Sequence, residues 1–370
     1  MEQKEYKEYN SLLIRTLDNC YPNYLKKKII KILANEGLVI NSKKKSNKVD
    51  PSLIDVSEID DVNKKLAHIL NFGADQNIFK YIEAFEFDKS YRYSTLFKTT
   101  SFNEEKFAHL IEEGKLILFR RESSMHDLVD ETNIVPTVKI TDSEVFIKFP
   151  YMLIPKYIDS NLEPIKYVVL CRFDSNFETV EFRFDKAPQG YQSTKDFYTE
   201  MINKTIANLS YYFDAKLDNF DFKGIIEYIR VKEVDNITIC AMELHRNGSK
   251  AYLDSMSNED MIIPILGELK NFIVENKDLL NTNETTKKIK YKLDDFIENI
   301  EVTSDLPSVK IAWDANGAKV GIKHNYKGED YSLFMHYNEL IDSKEMMDDV
   351  REFFIEYNGK LTEEIQPITL

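Results

Sequence analysis

An α+β fold is predicted from three observations. Apolar residues recur at helical spacing through the first third of the chain, the period shifts to two from Lys115 onward, and amphipathic helices then alternate with β-rich segments. This predicts a helical N-terminal region followed by antiparallel hairpins and meanders covered by amphipathic helices. Three segments follow: residues 1–112, mainly helical, basic at the start and compatible with a winged-helix-like module; residues 113–256, rich in β-hairpins; and residues 257–370, helices with a three-stranded meander and a closing helix.

Taken in order, YPNYLKKKIIKILANEG carries Leu25, Ile29, Ile30 and Leu33 at helical spacing, with Gly37 placed as a C-cap. NSKKKSNKVDPS is polar and charged and reads as a loop. DVNKKLAHIL and NEEKFAHLIEEG predict two further helices, the second capped by Asn103. VKITDSEVFIKF predicts a hairpin turning at residues 141–144. In CRFDSNFETVEFRFDK, residues 171–186, a loop at 174–177 pairs Phe173 with Glu178, Cys171 with Val180, Val169 with Phe182 and Tyr167 with Phe184. Glu181, Arg183 and Asp185 then share the reverse side with Arg172, which predicts a solvated, ion-paired face.

STKDFYTEMINKTIANLSYYF predicts a helix with Phe197, Met201, Ile202, Ile206, Leu209 and Phe213 on one stripe. GIIEYIRVKEVDNITICAMELH predicts a second hairpin turning on Asp235 and Asn236, with Glu227 interrupting its apolar side. Helices are expected through MIIPILGELKNFIVEN and KIKYKLDDFIENI. Asn316-Gly317 signals a tight turn that pairs Trp313 with Val320 and Ile311 with Ile322; a turn at 327–330 then pairs Ile322 with Met335 and Val320 with Tyr337. SKEMMDDVREFFIEYNG closes the chain as a helix from Ser343 to Gly359, with Met346, Val350, Phe353 and Tyr357 inward.

With 370 residues there is room for two or three cores, and 43% hydrophobic content lies in the globular range. Apolar runs such as MIIPIL fall short of the roughly 18–20 residues of a membrane span, and MEQKEYKEYN lacks the apolar core of a signal peptide. Three scattered cysteines fit a reducing compartment without a disulfide framework. The expectation is a cytoplasmic protein. Net charge is −14, but residues 1–50 hold eleven basic against six acidic side chains, +5, which leaves −19 for the remainder. An acidic body repels nucleic acid at long range, so any such contact is local.

Glycine-rich phosphate loops, a G-x-S-x-G elbow, H-E-x-x-H and the kinase motifs are absent, which argues against nucleotide-driven motors and the commonest hydrolases. None of the six histidines has a second His or Cys at metal-ligand spacing, and His324 reads as a hydrogen-bonded core residue. One constellation has catalytic potential: Asp221, Glu227, Glu243 and His245. Metal-dependent nucleases of the restriction type set an Asp before a strand bearing Glu-x-Lys, where the acids hold a divalent ion and the cation helps activate water. Glu243-x-His245 departs from that pattern at the cation, and paired strand carboxylates are common without metals. Mg²⁺ is implied only under that alternative; no other cofactor or metal site is predicted.

A second constellation is basic: Lys26, Lys27, Lys28 and Lys31, then Lys43, Lys44, Lys45 and Lys48, with DKSYRYSTLFK adding aromatics suited to stacking on bases. A solvated lysine face on a core helix explains the first group equally well. The leading expectation is a non-catalytic interaction or regulatory protein, a subunit or partner in a larger assembly, whose acidic α+β body recognises another protein. Its composition and want of metabolic signatures suit bacterial phage defence or mobile elements. A divalent-metal nuclease and a nucleic-acid-binding protein are the competing readings.

Overall fold

In the computed structural model, which describes residues 3–42, 53–73, 77–156, 162–192, 194–232, 237–246, 249–254, 266–303, 305–337 and 344–365, helices and a mixed sheet form an α+β fold, as the sequence predicts. The chain divides into two compact units. Met1–Phe220 and Asn338–Arg351 form the first, Asp221–Tyr337 and Glu352–Leu370 the second.

The first unit opens with α1 (Gln3–Cys20), α2 (Asn23–Asn35), the short β1 (Val39–Ile40) and β2 (Ile54–Asp55), α3 (Val62–Phe72) and α4 (Ile78–Asp88). Leu25, Ile29, Ile30 and Leu33 of α2 are all buried, packed with Leu13, Leu17, Leu66, Ile69 and Ile82. Asp61 starts α3 by accepting from Lys64 N at 2.8 Å, as an N-cap should. Then follow β3 (Tyr93–Ser101), α5 (Lys106–Glu112), β4 (Ile117–Leu118), β5 (Thr137–Ile140), β6 (Glu144–Leu153), β7 (Ile165–Asp174), β8 (Thr179–Phe184), α6 (Phe197–Phe213) and β9 (Lys216–Asn219). The strand order here is β3-β8-β7-β6-β5-β4, with β9 also on β3. Asn103 is not the cap of α5; Glu105 precedes it, without a side-chain bond.

The β7–β8 hairpin has the predicted faces but a register two residues away: Phe173 pairs with Val180, Cys171 with Phe182 and Val169 with Phe184. Because side chains alternate with period two, the slip leaves every residue on its expected side. Asp174 causes it. Its carboxylate accepts from Glu178 N at 2.8 Å, Thr179 N at 3.0 Å and Thr179 Oγ1 at 2.6 Å, which starts the loop one residue later, with Phe177 left-handed at φ 55°.

The second unit holds α7 (Phe222–Val231), β10 (Ile237–Arg246), β11 (Ser249–Asp254), α8 (Leu266–Glu275), α9 (Lys277–Leu280), α10 (Glu284–Thr303), β12 (Asp305–Trp313), β13 (Lys319–Lys323) and β14 (Leu333–His336). The last helix, α11 (Lys344–Ile365), belongs to the first unit up to Arg351 and to the second from Glu352. Strand order in the second unit is β11-β10-β12-β13-β14. Residues 222–231 are helical, not the strand expected of them. Phe222, Ile225, Ile226 and Ile229 stand three or four apart and are all buried, and Asp221 caps the helix by accepting from Gly224 N at 2.9 Å. The hairpin therefore lies between β10 and β11, with β12 on the other side of β10.

Gly317 supplies the left-handed turn (φ +71°) between β12 and β13, and Ile311 pairs with Val320 and Val309 with Ile322, again two residues from expectation with the faces kept. The next register differs by one: Ile322 pairs with Phe334 and Val320 with His336. Phe334 and His336 therefore point inward and Met335 and Tyr337 outward, the reverse of the prediction. Left-handed Asn325, Lys327 and Gly328 in the connecting segment take up the odd residue. Phe334 packs edge-on against Phe222 (4.9 Å between centroids) and beside Phe354 (5.1 Å), while Trp313 meets Phe353. His324 is buried with Nδ1 3.0 Å from Ser332 Oγ, the hydrogen-bonded core histidine expected. α11 runs past Gly359 to Ile365; Ser343 lies outside the described residues.

Candidate functional site

Asp221, Glu227 and Glu243 lie on three different parts of the fold, a helix cap, a helix and a strand. Asp221 is spent on the α7 cap. Glu227 lies on that helix, half-exposed and 3.3 Å from Arg230. Glu243 lies on β10, and His245 two residues further along it, with a side chain outside the described residues. Among the described residues no group of three or more His, Cys, Asp or Glu could hold a metal ion. The helix at 222–231 is the reason: it removes Glu227 from the strand on which a nuclease-like pair needs it.

The lysine set divides too. Lys26 is buried at 3% exposure and donates to Asn63 Oδ1 at 2.8 Å; burial pulls its ammonium down, with Asp18 opposing. Lys28 lies over the Phe85 ring. Lys27 and Lys31 are exposed. Lys43, Lys44, Lys45 and Lys48 lie outside the described residues.

Two sets of buried charge were not foreseen. In the first, Lys148 Nζ sits 2.8 Å from Glu86 Oε2 and 2.7 Å from Asp127 Oδ2, and Lys166 Nζ sits 2.7 and 2.6 Å from the same two atoms. Lys80 pairs with Glu83 at 2.9 Å, and Glu83 Oε1 accepts from Tyr9 Oη and Asp127 N. All six ionic groups are at most 2% exposed, and three ammoniums balance three carboxylates. Burial alone pushes the Asp127 carboxyl up; Lys148 and Lys166 outweigh it and hold the group well below the usual range. The legible signal was one or two charges set inside otherwise apolar runs: Lys148 in VFIKFP, Lys166 in PIKYVVL, Glu83 and Glu86 in IEAFEF. Sealed from solvent, this set reaches no substrate.

The second set corrects the solvated face expected of residues 172–185. Arg183, Glu181 and Arg172 are 0%, 2% and 6% exposed. Asp348, on the part of α11 within the first unit, covers them: its Oδ1 accepts from Arg172 Nη1 at 2.6 Å and Arg183 Nη2 at 2.7 Å, and its Oδ2 accepts from Lys344. Arg183 Nε donates to Glu181 at 2.7 Å, Arg172 pairs with Glu144, and Asp185 pairs with the buried Lys89. A strand's polarity pattern shows which side carries charge, not what lies over that side.

In the second unit the outward side of the sheet carries a hollow of about 290 Å³, lined by Glu243, Ser308, Lys310, Lys323, Met335 and Tyr337 among others. Ser308 Oγ donates to Glu243 Oε2 at 3.3 Å, and Lys310 Nζ stands 5.4 Å from the Tyr337 ring. A Cβ at Gly321 would stand 3.1 Å from that ring, so glycine lets the tyrosine lie against the strands.

The helices α8, α9 and α10 pack on one another around Ile273 and Ile297, with Leu269, Leu280 and Leu293 beside them. Asn283 anchors α10 by a reciprocal cap: its Oδ1 accepts from Thr285 N and Thr286 N, while its own N donates to Thr286 Oγ1. Six of the fourteen large hydrophobic residues exposed among the described residues fall within 272–296: Phe272, Val274, Leu279, Ile289, Tyr291 and Phe296. Ile289 and Phe296, seven residues apart, share one face of α10 at 48% and 55% exposure. The signal lay in KIKYKLDDFIENI, where apolar residues exceed what one helix stripe can bury.

No helix among the described residues is long and apolar enough to cross a membrane. Comparison with family profiles, curated proteins and solved structures finds no significant match to this chain.

Proposed function

We propose that this chain is a non-catalytic interaction protein, a subunit of a larger assembly, and that the α8–α10 hairpin is its docking element. The observation that carries the reading is the concentration of exposed Phe272, Ile289, Tyr291 and Phe296 on helices that pack on one another around Ile273 and Ile297. A helix apolar on more than its core stripe is normally covered by another surface. The dispersal of Asp221, Glu227 and Glu243 over a cap, a helix and a strand supports the non-catalytic part.

The test replaces Phe296 with photoreactive benzoylphenylalanine in the producing cell, with Ile140, exposed at 53% in the first unit, as control. A discrete protein adduct from position 296 and none from 140 is expected. No adduct at 296 overturns the docking role. Incubation of nucleic acid with Mg²⁺ or Mn²⁺ addresses catalysis: cleavage that Glu243→Gln abolishes would replace this reading with the nuclease.

A second reading, binding of single-stranded nucleic acid, is favoured by Lys310, Lys319 and Lys323 beside Tyr337 on the outward sheet face. Three phosphate contacts predict a log–log salt slope of about −2. Absence of binding at low salt removes it.

A further inference from the structure

We infer that the outward hollow of the second unit is a seat for one nucleotide, with the phosphate on Lys310 and Lys323, the base against Tyr337 and the base edge on Glu243. The inference rests on the second reading above, nucleic acid on this face, and names the unit of ligand bound.

The hollow follows from the order of residues across the strands. One outward row runs Ala241, Lys310, Gly321, Met335 over β10, β12, β13 and β14. The next row runs Glu243, Ser308, Lys323 over β10, β12 and β13. Ala241 and Gly321 add almost no side chain to the first row, so a space of about 290 Å³ opens between their larger neighbours. Tyr337 follows β14 and leans over Gly321, with 38% of its surface still exposed.

Three kinds of group surround that space. Lys323 is exposed, and Lys310 Nζ stands 5.4 Å from the Tyr337 ring. At the β10 end Glu243 is half-exposed, and its bond from Ser308 Oγ takes one of the several lone pairs a carboxylate offers. A bare anion would meet Glu243, and a bare cation would meet two lysines. The ligand that suits them all has an anionic end, a flat body and N–H donors at the far end. A nucleoside phosphate has that order: the phosphate accepts from lysine, the base stacks on an aromatic ring and its exocyclic amine donates to a carboxylate. β10 and β13 lie two strand spacings apart, about 10 Å, so Glu243 and Lys323 address opposite ends of a ligand. An α-amino acid, with both charged groups on one carbon, does not span that distance.

Isothermal titration calorimetry on the purified full-length chain tests this, with cytidine monophosphate, uridine monophosphate and inorganic phosphate as probes. One cytidine monophosphate per chain is expected, bound about 10-fold more tightly than inorganic phosphate or than uridine monophosphate, which lacks the exocyclic amine. Tyr337→Ala and Lys323→Ala, both at exposed positions, should each weaken it about 10-fold with circular dichroism unchanged, while Tyr337→Phe keeps the ring and the affinity. Glu243→Gln should level the two pyrimidines. No binding of cytidine monophosphate at millimolar concentration, no preference between the pyrimidines in wild type, or binding indifferent to both Tyr337→Ala and Lys323→Ala overturns the inference. A cytidine hexamer identifies the source. Tighter binding that is weakened by Lys319→Ala, on β13 outside the hollow, assigns the seat to a nucleotide within a strand, and affinity equal to that of the monophosphate assigns it to a free nucleotide. A hexamer that binds while the monophosphate does not removes the seat and leaves the second reading standing; binding of neither removes both.

Discussion

Lys166→Met tests the six-charge set in the first unit. Methionine keeps most of the aliphatic stem and removes the ammonium that lies 2.7 Å from Glu86 Oε2 and 2.6 Å from Asp127 Oδ2. At an effective dielectric of about 20, each attraction is about 6 kcal/mol before desolvation, which offsets several kcal/mol per buried ion. What remains after substitution is two carboxylates sharing Lys148, with one negative charge unbalanced at 1% exposure or less. Removing one partner of a buried pair costs about 3–5 kcal/mol, which for a unit of this size is a fall in Tm of roughly 6–20 °C. The assay is urea unfolding followed by circular dichroism, for wild type, Lys166→Met, Glu86→Gln and the double variant. The double variant restores neutrality and should recover to within about 2 kcal/mol of wild type. A loss below about 1 kcal/mol for Lys166→Met, or additive losses in the double variant, would refute the reasoning. The pH dependence has a definite sign. Asp127 is depressed in the folded state, so its contribution is complete above the ordinary carboxylate pKa of about 4 and is lost as pH falls, when only the unfolded chain takes up the proton. Lys166→Met relaxes that depression, and the gap between wild type and variant should narrow between about pH 5 and pH 3.

Asp348→Ala strips one acceptor from both Arg172 and Arg183; with Glu144 and Glu181 still paired to them, a loss of about 2 kcal/mol is expected, together with faster amide exchange in residues 344–351. Unchanged exchange there would show that Asp348 does not anchor the helix. Asp221→Ala should cost about 1 kcal/mol in unfolding experiments through the lost cap on Gly224 N, and a neutral result would contradict the capping role. Burial pushes the Cys20 thiol up to about 12 and Cys171 well above its usual value, so iodoacetamide at pH 8 should alkylate both about 10³-fold more slowly than an exposed thiol until the chain unfolds; rapid native labelling of Cys20 would be the contrary result.

The sequence carried the alternation of the strands better than their partners. Residues 165–184 keep their two sides because one side is continuous with the core, yet the register turned on Asp174, whose side chain can close a loop at either of two places. A one-residue difference at Lys327 and Gly328 was enough to exchange Phe334 for Met335 in the second unit's core. As a strand the segment 222–231 has Glu227 breaking its apolar side, whereas Phe222, Ile225, Ile226 and Ile229 fit the helical period, and the cap at Asp221 decides for helix. Arg183 reads as solvated from its strand alone because its counter-charge is Asp348, 165 residues away, and no local pattern states which distant segment covers a strand. The exposed face of α10 was visible only as an excess of oily residues; its exposure is a property of the folded chain.

The sealed ring of lysines and acids also bears on how the first unit comes together. Tyr9 arrives from α1, Lys80, Glu83 and Glu86 from α4, Lys148 and Lys166 from neighbouring strands, and Asp127 from the segment between β4 and β5. An intermediate holding only some of them would strand bare ions away from water, which is worse than leaving all of them hydrated. Halfway structures of this unit are therefore poorly populated, and its helices and strands should dock in a single all-or-none event.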